Sequence, residues 1–104
     1  PGRGTDAAAG AVKNAKRKGT RNEHRSRLLL EAAGYRVTRA AGSFGEFDLV
    51  AISRTGILLV QCKSNRPPGP IERACLIEFP APDNAQRLIH VWHDGQRLPE
   101  VREL

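Results

Sequence analysis

Two apolar segments joined by a short turn constrain the fold of this chain more than any other feature of its sequence. They cover residues 47–52 and 57–63, with the letters SRTG between them. Segments of this length that are rich in Val, Ile and Leu form strands, and a short connection containing glycine is typical of a hairpin. The second segment is apolar at every position from 57 to 60, which predicts a central strand covered on both faces.

The preceding residues predict a helix that leads directly into the sheet. Asn22 is a good N-cap, Glu23 suits the positive end of a helix, and Gly34 is a good stop, so we expect a helix from about residue 23 to residue 33. Residues 35–39 alternate between apolar and polar types and predict a strand.

The remainder of the chain predicts one more helix and two more strands. Pro70 stands where the first turn of a helix tolerates proline, and Asp94 with Gly95 predicts a hairpin between the last two strands. The predicted order is α-β-β-β-α-β-β. This order indicates an α/β (α+β) domain with a central mixed sheet flanked by helices.

The positive charge of the chain is concentrated at its N-terminal end. The net charge is +6 and the isoelectric point about 10.2, and six of the seventeen Lys and Arg residues lie within residues 1–22 beside one acidic residue, Asp6. Residues 1–21 have little apolar content, which predicts a flexible basic arm before a single domain over residues 22–104. A phosphate-rich partner fits this charge, although a solvated tail is the alternative. The arm's candidate DNA contacts are Lys13, Lys16, Arg17, Lys18 and Arg21.

Other classes of site and location receive little support. No apolar stretch approaches the roughly 20 residues of a membrane span, and no signal peptide is recognisable, so we expect a soluble cytoplasmic protein with no membrane partner. Cys62 and Cys75 are expected to be thiols. A zinc site that joins them to His90 and His93 is disfavoured, because residues three apart on a strand face opposite sides.

Three polar side chains stand out at the ends of the two apolar strands. Gln61 and Lys63 are two residues apart and share one face of their strand, while Cys62 faces the other way. If the two strands pair, Asp48 can lie beside them. Burying an aspartate and a lysine is costly unless they pair with each other or bind an ion.

Such a group suits chemistry at a phosphodiester. A carboxylate can hold a hard divalent cation, and an ammonium can stabilise the nucleophile or the additional negative charge of the transition state. Asp48 is the candidate metal anchor and Lys63 the candidate charge stabiliser. Gln61 can offer only a neutral amide oxygen, so a second carboxylate is needed. Glu23 and Glu46 are the candidates, although Glu46 is more plausibly a solvent-facing residue than a ligand. An ordinary structural ion pair at the end of a sheet is the alternative.

The order of these residues resembles the PD-(D/E)XK nuclease superfamily, and most of all its archaeal-type Holliday junction resolvases, which also occur in phages. The resemblance covers residues 19–63, through the letters NEHRSRLLLEAAGYRVTRAAGSFGEFDLVAI and ILLVQCK. In these proteins the active site consists of a Glu at the first helix, a Gly-Ser loop, an Asp that opens the second strand, and a Glu-x-Lys motif in the third strand.

The resemblance implies a role for each matching residue. The implied catalytic residues are Glu23, Ser43, Asp48, Gln61 and Lys63. Of these, Asp48, Gln61 and Glu23 would hold Mg²⁺, for which Mn²⁺ can substitute, while Arg25 and Arg39 become candidates for holding DNA phosphates. The implied function is a structure-selective endonuclease that acts as a homodimer on branched DNA in recombination and repair. It would make paired symmetric nicks that leave 5′-phosphate and 3′-hydroxyl ends.

Two positions depart from the family pattern. Phe47 replaces the proline before the aspartate, which is a common variation, and Gln61 replaces the glutamate of the last motif. Gln61 can be a natural variant, a substitution that disarms a nuclease, or the mark of a fold kept only for binding. The alternatives to a resolvase are therefore an inactive protein that binds junction or duplex DNA and a nuclease of the repair or restriction type.

Overall fold

The computed structural model describes the backbone of residues 6–40, 42 and 44–104, and the side chains of those residues from Gly19 onward. Ser43 and the side chains of the basic residues from Lys13 to Lys18 therefore lie outside the described residues. The elements are α1 (Asp6–Ala32), β1 (Arg36–Arg39), β2 (Leu49–Ser53), β3 (Gly56–Ser64), α2 (Pro70–Glu78), β4 (Ala85–Trp92) and β5 (Glu100–Glu103). This is the predicted order, so the predicted fold class is confirmed.

The five strands form one mixed sheet in the order β1-β2-β3-β4-β5. Neighbours are antiparallel except β3 and β4, which are parallel because α2 connects them as a crossover. The turn between β2 and β3 is tight, with Ser53 opposite Gly56. Gly56 has a φ of +153°, and a Cβ there would lie 2.6 Å from the carbonyl oxygen of Asn84, so a side chain does not fit.

The sheet has a hydrophobic cluster on each face. One cluster packs under α2 and includes Val50, Leu59, Leu76, Ile89 and Val91. The other packs under α1 and includes Leu30, Leu49, Ala51, Leu58 and Val60. Successive residues of β2 and β3 thus alternate between the clusters, as expected for the central strands of a two-sided sheet.

The first helix is longer than predicted. It begins at Asp6 rather than Glu23, so the expected N-cap at Asn22 is wrong. Asn22 instead lies within the helix, and its side chain is buried. Its Nδ2 donates to the Oγ of Ser64 at the end of β3, at 2.7 Å. Gly34 does follow the helix, with a φ of +99° that favours glycine. The division of the chain at residue 21 stays a prediction.

Leu76 and Phe79 mark the side of the second helix that faces the sheet. Leu76 is fully buried, and Phe79 at the end of the helix packs edge-on against Phe47 with 5.4 Å between ring centroids. Ile71 and Ile77 are exposed. The sheet-facing line of α2 therefore runs through positions 72, 76 and 79, which are one helical turn apart. Within the described residues, no helix has both the length and the apolar content that a membrane crossing requires.

Candidate active site

Asp48 lies immediately before β2, where two hydrogen bonds attach it to β3. Its backbone N–H donates to the carbonyl oxygen of Val60 at 2.8 Å, and its Oδ2 accepts the backbone N–H of Cys62, also at 2.8 Å. These two partners flank Gln61, so Asp48 is held beside that residue. Burial raises the pKa of the Asp48 carboxyl above its ordinary value, and the hydrogen bond from Cys62 opposes this shift.

Gln61 and Lys63 project from one face of β3, as the period of two predicts. Both contact Glu72 of α2: the Nε2 of Gln61 lies 3.4 Å from Oε2, and the Nζ of Lys63 lies 3.2 Å from the same oxygen. Cys62, between them, packs against the cluster under α1. The two polar residues therefore share the α2 side of the sheet with Leu59.

Glu72 contacts this site and was not predicted from the sequence. It stands in the first turn of α2, and it receives hydrogen bonds from both Gln61 and Lys63. An acidic residue at the beginning of a helix is ordinary, because it suits the helix dipole, so its type gave no signal. The available signal was its position one turn before Leu76, the residue of α2 that the core buries completely.

The oxygen atoms of Asp48 and Gln61 are of the chemical type that a hard divalent cation binds. Gln61 is only 4% exposed, and its Oε1 has no hydrogen-bond partner among the residues that the structure describes. That oxygen and the carboxylate of Asp48 are both hard ligands, and Mg²⁺ commonly takes only one or two carboxylates from a protein. No group of three or more His, Cys, Asp or Glu residues suited to a metal occurs within the described part of the chain. A site built on these atoms therefore depends on the amide oxygen.

Two further carboxylates act on Asp48. The negative charges of Glu23 and Glu46 both favour a raised pKa of Asp48, and the charge of Lys63 opposes them. Glu23 accepts a hydrogen bond from the Nε of Arg39 at 3.1 Å, so an ion pair joins α1 to the end of β1. Glu46 is exposed. Glu23 is consequently the better placed second carboxylate, since it projects from a rigid helix.

Three of the predicted DNA contacts lie within the described side chains. Arg21 and Arg39 are exposed, and Arg39 holds Glu23. Arg25, which is half-buried, instead contacts other parts of the protein: its guanidinium lies 3.9 Å from the centre of the Trp92 ring, and its Nη2 donates to the carbonyl oxygen of Gln96 at 2.9 Å. A role for Arg25 in holding phosphate stays a prediction. To bind a phosphate, its guanidinium would have to give up these contacts.

A buried polar cluster supports the site from the opposite side of β3. The Oγ of Ser26 accepts the Nε1–H of Trp92 at 2.8 Å and lies 2.8 Å from the Nδ1 of His90. Cys62 joins this cluster, and burial raises the pKa of its thiol to about 12. Both cysteines are free thiols, and Cys62 is held neutral behind the polar face of β3.

Comparison with known proteins decides the family. The sequence model of the family described as archaeal Holliday junction resolvase (Hjc) matches residues 14–74, which is more than half of the chain. The chain belongs to the archaeal Holliday junction resolvase family. The matched region contains Glu23, Asp48, Gln61 and Lys63, and it extends far enough to include Glu72. The resemblance seen in the sequence is therefore confirmed.

A solved structure supports the same fold. The chain is similar to Hjc of Archaeoglobus fulgidus, a Holliday junction resolvase from an archaeal hyperthermophile, with a TM-score of 0.65 and 24% sequence identity. The match covers 84% of this chain and 71% of that chain. The search of curated proteins found no match. At this level of identity the structural likeness shows the fold, and the family match carries the assignment.

Proposed function

We propose that this chain is a metal-dependent, structure-selective DNA endonuclease, a Holliday junction resolvase that makes paired symmetric nicks. One observation carries the proposal: Asp48 is held beside Gln61 at the point where Lys63 leaves the same face of β3. A carboxylate, a buried unpaired amide oxygen and an ammonium are thereby combined within the region that matches the resolvase family.

The residues divide the chemistry between them. Mg²⁺ or Mn²⁺, when bound, polarises a phosphoryl oxygen and lowers the pKa of a bound water. Asp48 and the Oε1 of Gln61 would hold the ion, with Glu23 as a further carboxylate once it separates from Arg39. Lys63 places its ammonium where negative charge increases in the transition state. Ser43, which lies outside the described residues, keeps the catalytic role that the resemblance implies.

The active species is proposed to be a homodimer bound to branched DNA. Paired nicks in opposing strands require two active sites, and a chain of 11.4 kDa with one site supplies two by association about a two-fold axis. The basic residues of α1 and Arg39 would contact phosphates, so recognition depends on the shape of the junction rather than on its bases.

The proposal is tested by cleavage of a labelled four-way junction with Mg²⁺ or Mn²⁺. We expect cleavage by the unmodified chain, preference for the junction over a linear duplex of equal length, and a loss of about 100-fold or more in Asp48→Asn, since several kcal/mol of charge stabilisation are removed. Asp83→Asn, which removes the same charge from an exposed loop, is the matched control. Equal rates for the two variants would contradict the proposal.

Gln61 favours a second candidate, a junction-binding protein without catalysis. A neutral amide attracts a cation less strongly than a carboxylate does. Under this alternative, the unmodified chain binds the junction but does not cleave it. Gain of cleavage in Gln61→Glu would identify a disarmed nuclease, whereas tight binding without cleavage in both chains would favour the binding protein.

A further inference from the structure

Glu72 lies outside the family motif, yet it contacts both members of that motif on β3. We infer that Glu72 is a positioning residue that fixes the Gln61 amide, so that its oxygen is presented to the ion. This inference rests on the proposed function, because it concerns the ion that Asp48 and Gln61 would hold. It gives Gln61 a working role and gives α2 a part in the site.

The orientation of the amide follows from the chemistry of its partner. An ionised carboxylate can only accept hydrogen bonds. The amide atom of Gln61 that faces Glu72 is therefore the nitrogen Nε2, which lies 3.4 Å from the Oε2 of Glu72. The oxygen then points away from Glu72. It is buried without a partner among the described residues, and such an atom is unfavourable unless a ligand satisfies it.

The position of Glu72 is fixed by core packing rather than by the site itself. Leu76, one turn later on the same side of α2, is fully buried in the cluster under that helix. Glu72 also holds the Nζ of Lys63 at 3.2 Å, so one carboxylate restrains two neighbouring side chains. Motion of either side chain is thereby tied to a helix that the core anchors.

The pair also accounts for the departure from the family pattern. A glutamate at position 61 would place a second carboxylate within hydrogen-bonding distance of Glu72, where like charges repel. With glutamine at 61, the negative charge of the usual Glu-x-Lys motif is carried by α2 instead. Gln61 and Glu72 are therefore a matched pair, in which one residue supplies the ligand atom and the other supplies the charge.

The test measures Mn²⁺ binding to the full chain without DNA, by the loss of the free Mn²⁺ signal in electron paramagnetic resonance. We expect Glu72→Gln to weaken binding by about 10-fold or more, which is typical when a residue that orients a ligand is lost. Glu78→Gln removes the same charge from an exposed position of α2 and should change affinity by about twofold at most, through screened charge alone. Equal affinities in the two variants would overturn the inference.

A double variant that exchanges the side chains of residues 61 and 72 tests whether Glu72 positions Gln61 or binds the ion directly. In Gln61→Glu/Glu72→Gln the carboxylate moves to the strand and the amide to the helix. We expect this double variant to bind Mn²⁺ at least as tightly as Gln61→Glu alone, because the helix amide can donate to the new carboxylate. If Gln61→Glu alone binds about 10-fold more tightly than the double variant, Glu72 is itself a ligand and the positioning role is wrong.

A second readout needs no metal. In the ¹H–¹⁵N NMR spectrum of the metal-free protein, the chemical shifts of the Gln61 side-chain NH₂ should differ from those of a solvated glutamine. They should move towards the solvated values in Glu72→Gln but not in Glu78→Gln. No change in Glu72→Gln would overturn the inference.

Failure of the inference is distinguishable from failure of the proposed function. If the unmodified chain binds Mn²⁺ and Asp48→Asn does not, the metal site stands whatever Glu72→Gln does. Absence of Mn²⁺ binding by the unmodified chain would overturn both.

Discussion

The buried hydroxyl of Ser26 shows how single residues support the site from behind. It accepts the indole N–H of Trp92 and contacts the Nδ1 of His90, and all three residues are buried. Register pairs His90 with Cys62, the residue whose backbone N–H binds Asp48. The position of the candidate metal anchor thus depends on a neutral polar cluster on the α1 side of the sheet.

Protonation of His90 should therefore destabilise the fold. Burial lowers the pKa of its imidazole below the ordinary value of 6.5, so below about pH 6.5 the unfolded chain binds a proton that the folded chain resists. The contribution to stability is present above pH 6.5 and is lost as the pH falls through the lowered pKa. We expect the free energy of unfolding to fall by up to about 1.4 kcal/mol per pH unit in this range from His90.

Denaturant unfolding at several pH values measures this dependence. His90→Asn keeps a polar atom near Nδ1 but cannot be protonated, so its profile should be flatter below about pH 6.5. His24→Asn, at an exposed position, is the control and should keep the original slope. The same slope in all three proteins would show that His90 does not titrate on unfolding.

The sequence was sufficient for part of the site at this scale. Period two on β3 correctly put Gln61 and Lys63 on one face, since burial on both sides of a central strand fixes its register. Glu72 was not predictable in the same way. Its orientation depends on which side of α2 the core accepts, and the apolar Ile71 and Ile77 remain exposed while Leu76 is buried.

At the scale of elements, α1 and α2 serve the site through different kinds of contact. The second helix presents Glu72 to β3 from one face of the sheet. The first helix brings Glu23 towards Asp48, and through Asn22 it is bound to Ser64, the residue of β3 that follows Lys63. The element order was predictable because strands and helices differ in apolar period, whereas the start of α1 was not, because Asn22 is also a favourable capping residue.

Asn22→Ala tests whether this residue anchors α1. The substitution leaves the half-buried hydroxyl of Ser64 without its partner at 2.7 Å, so we expect a loss of about 0.5–1.5 kcal/mol in the free energy of unfolding. Arg21→Ala, at the adjacent exposed position, should cost less than about 0.5 kcal/mol. If denaturant unfolding shows the same small loss of free energy in both variants, the hydrogen bond between Asn22 and Ser64 contributes little to stability.

At the scale of the whole molecule, the positive charge is concentrated at the N-terminal end of the chain. The sequence assigns much of the excess positive charge to residues 1–22, ahead of most of the matched domain. The backbone of α1 continues without interruption from Asp6 into the part of the helix that carries Glu23. The basic residues proposed to contact phosphate between Lys13 and Arg21 therefore belong to the same helix as Glu23.

Deletion of residues 1–19 should weaken junction binding and reduce its salt dependence. Each lost phosphate contact lowers the slope of log affinity against log salt by about 0.9. The measurement is a titration of labelled junction at several salt concentrations, with glutamine at positions 13, 16, 17 and 18 as a variant of unchanged length. Affinity that is unchanged at both low and high salt would exclude a DNA-binding role for this segment.

Paired nicking of a cruciform tests the central claim most directly. A supercoiled plasmid that extrudes a four-way junction becomes linear if both opposing strands are cut while the enzyme is bound, and becomes a nicked circle if only one strand is cut. With Mg²⁺ we predict linear plasmid from the unmodified chain and none from Asp48→Asn, which should still bind the junction. Intact plasmid from the unmodified chain, or linear plasmid from Asp48→Asn, would contradict a resolvase whose chemistry depends on Asp48.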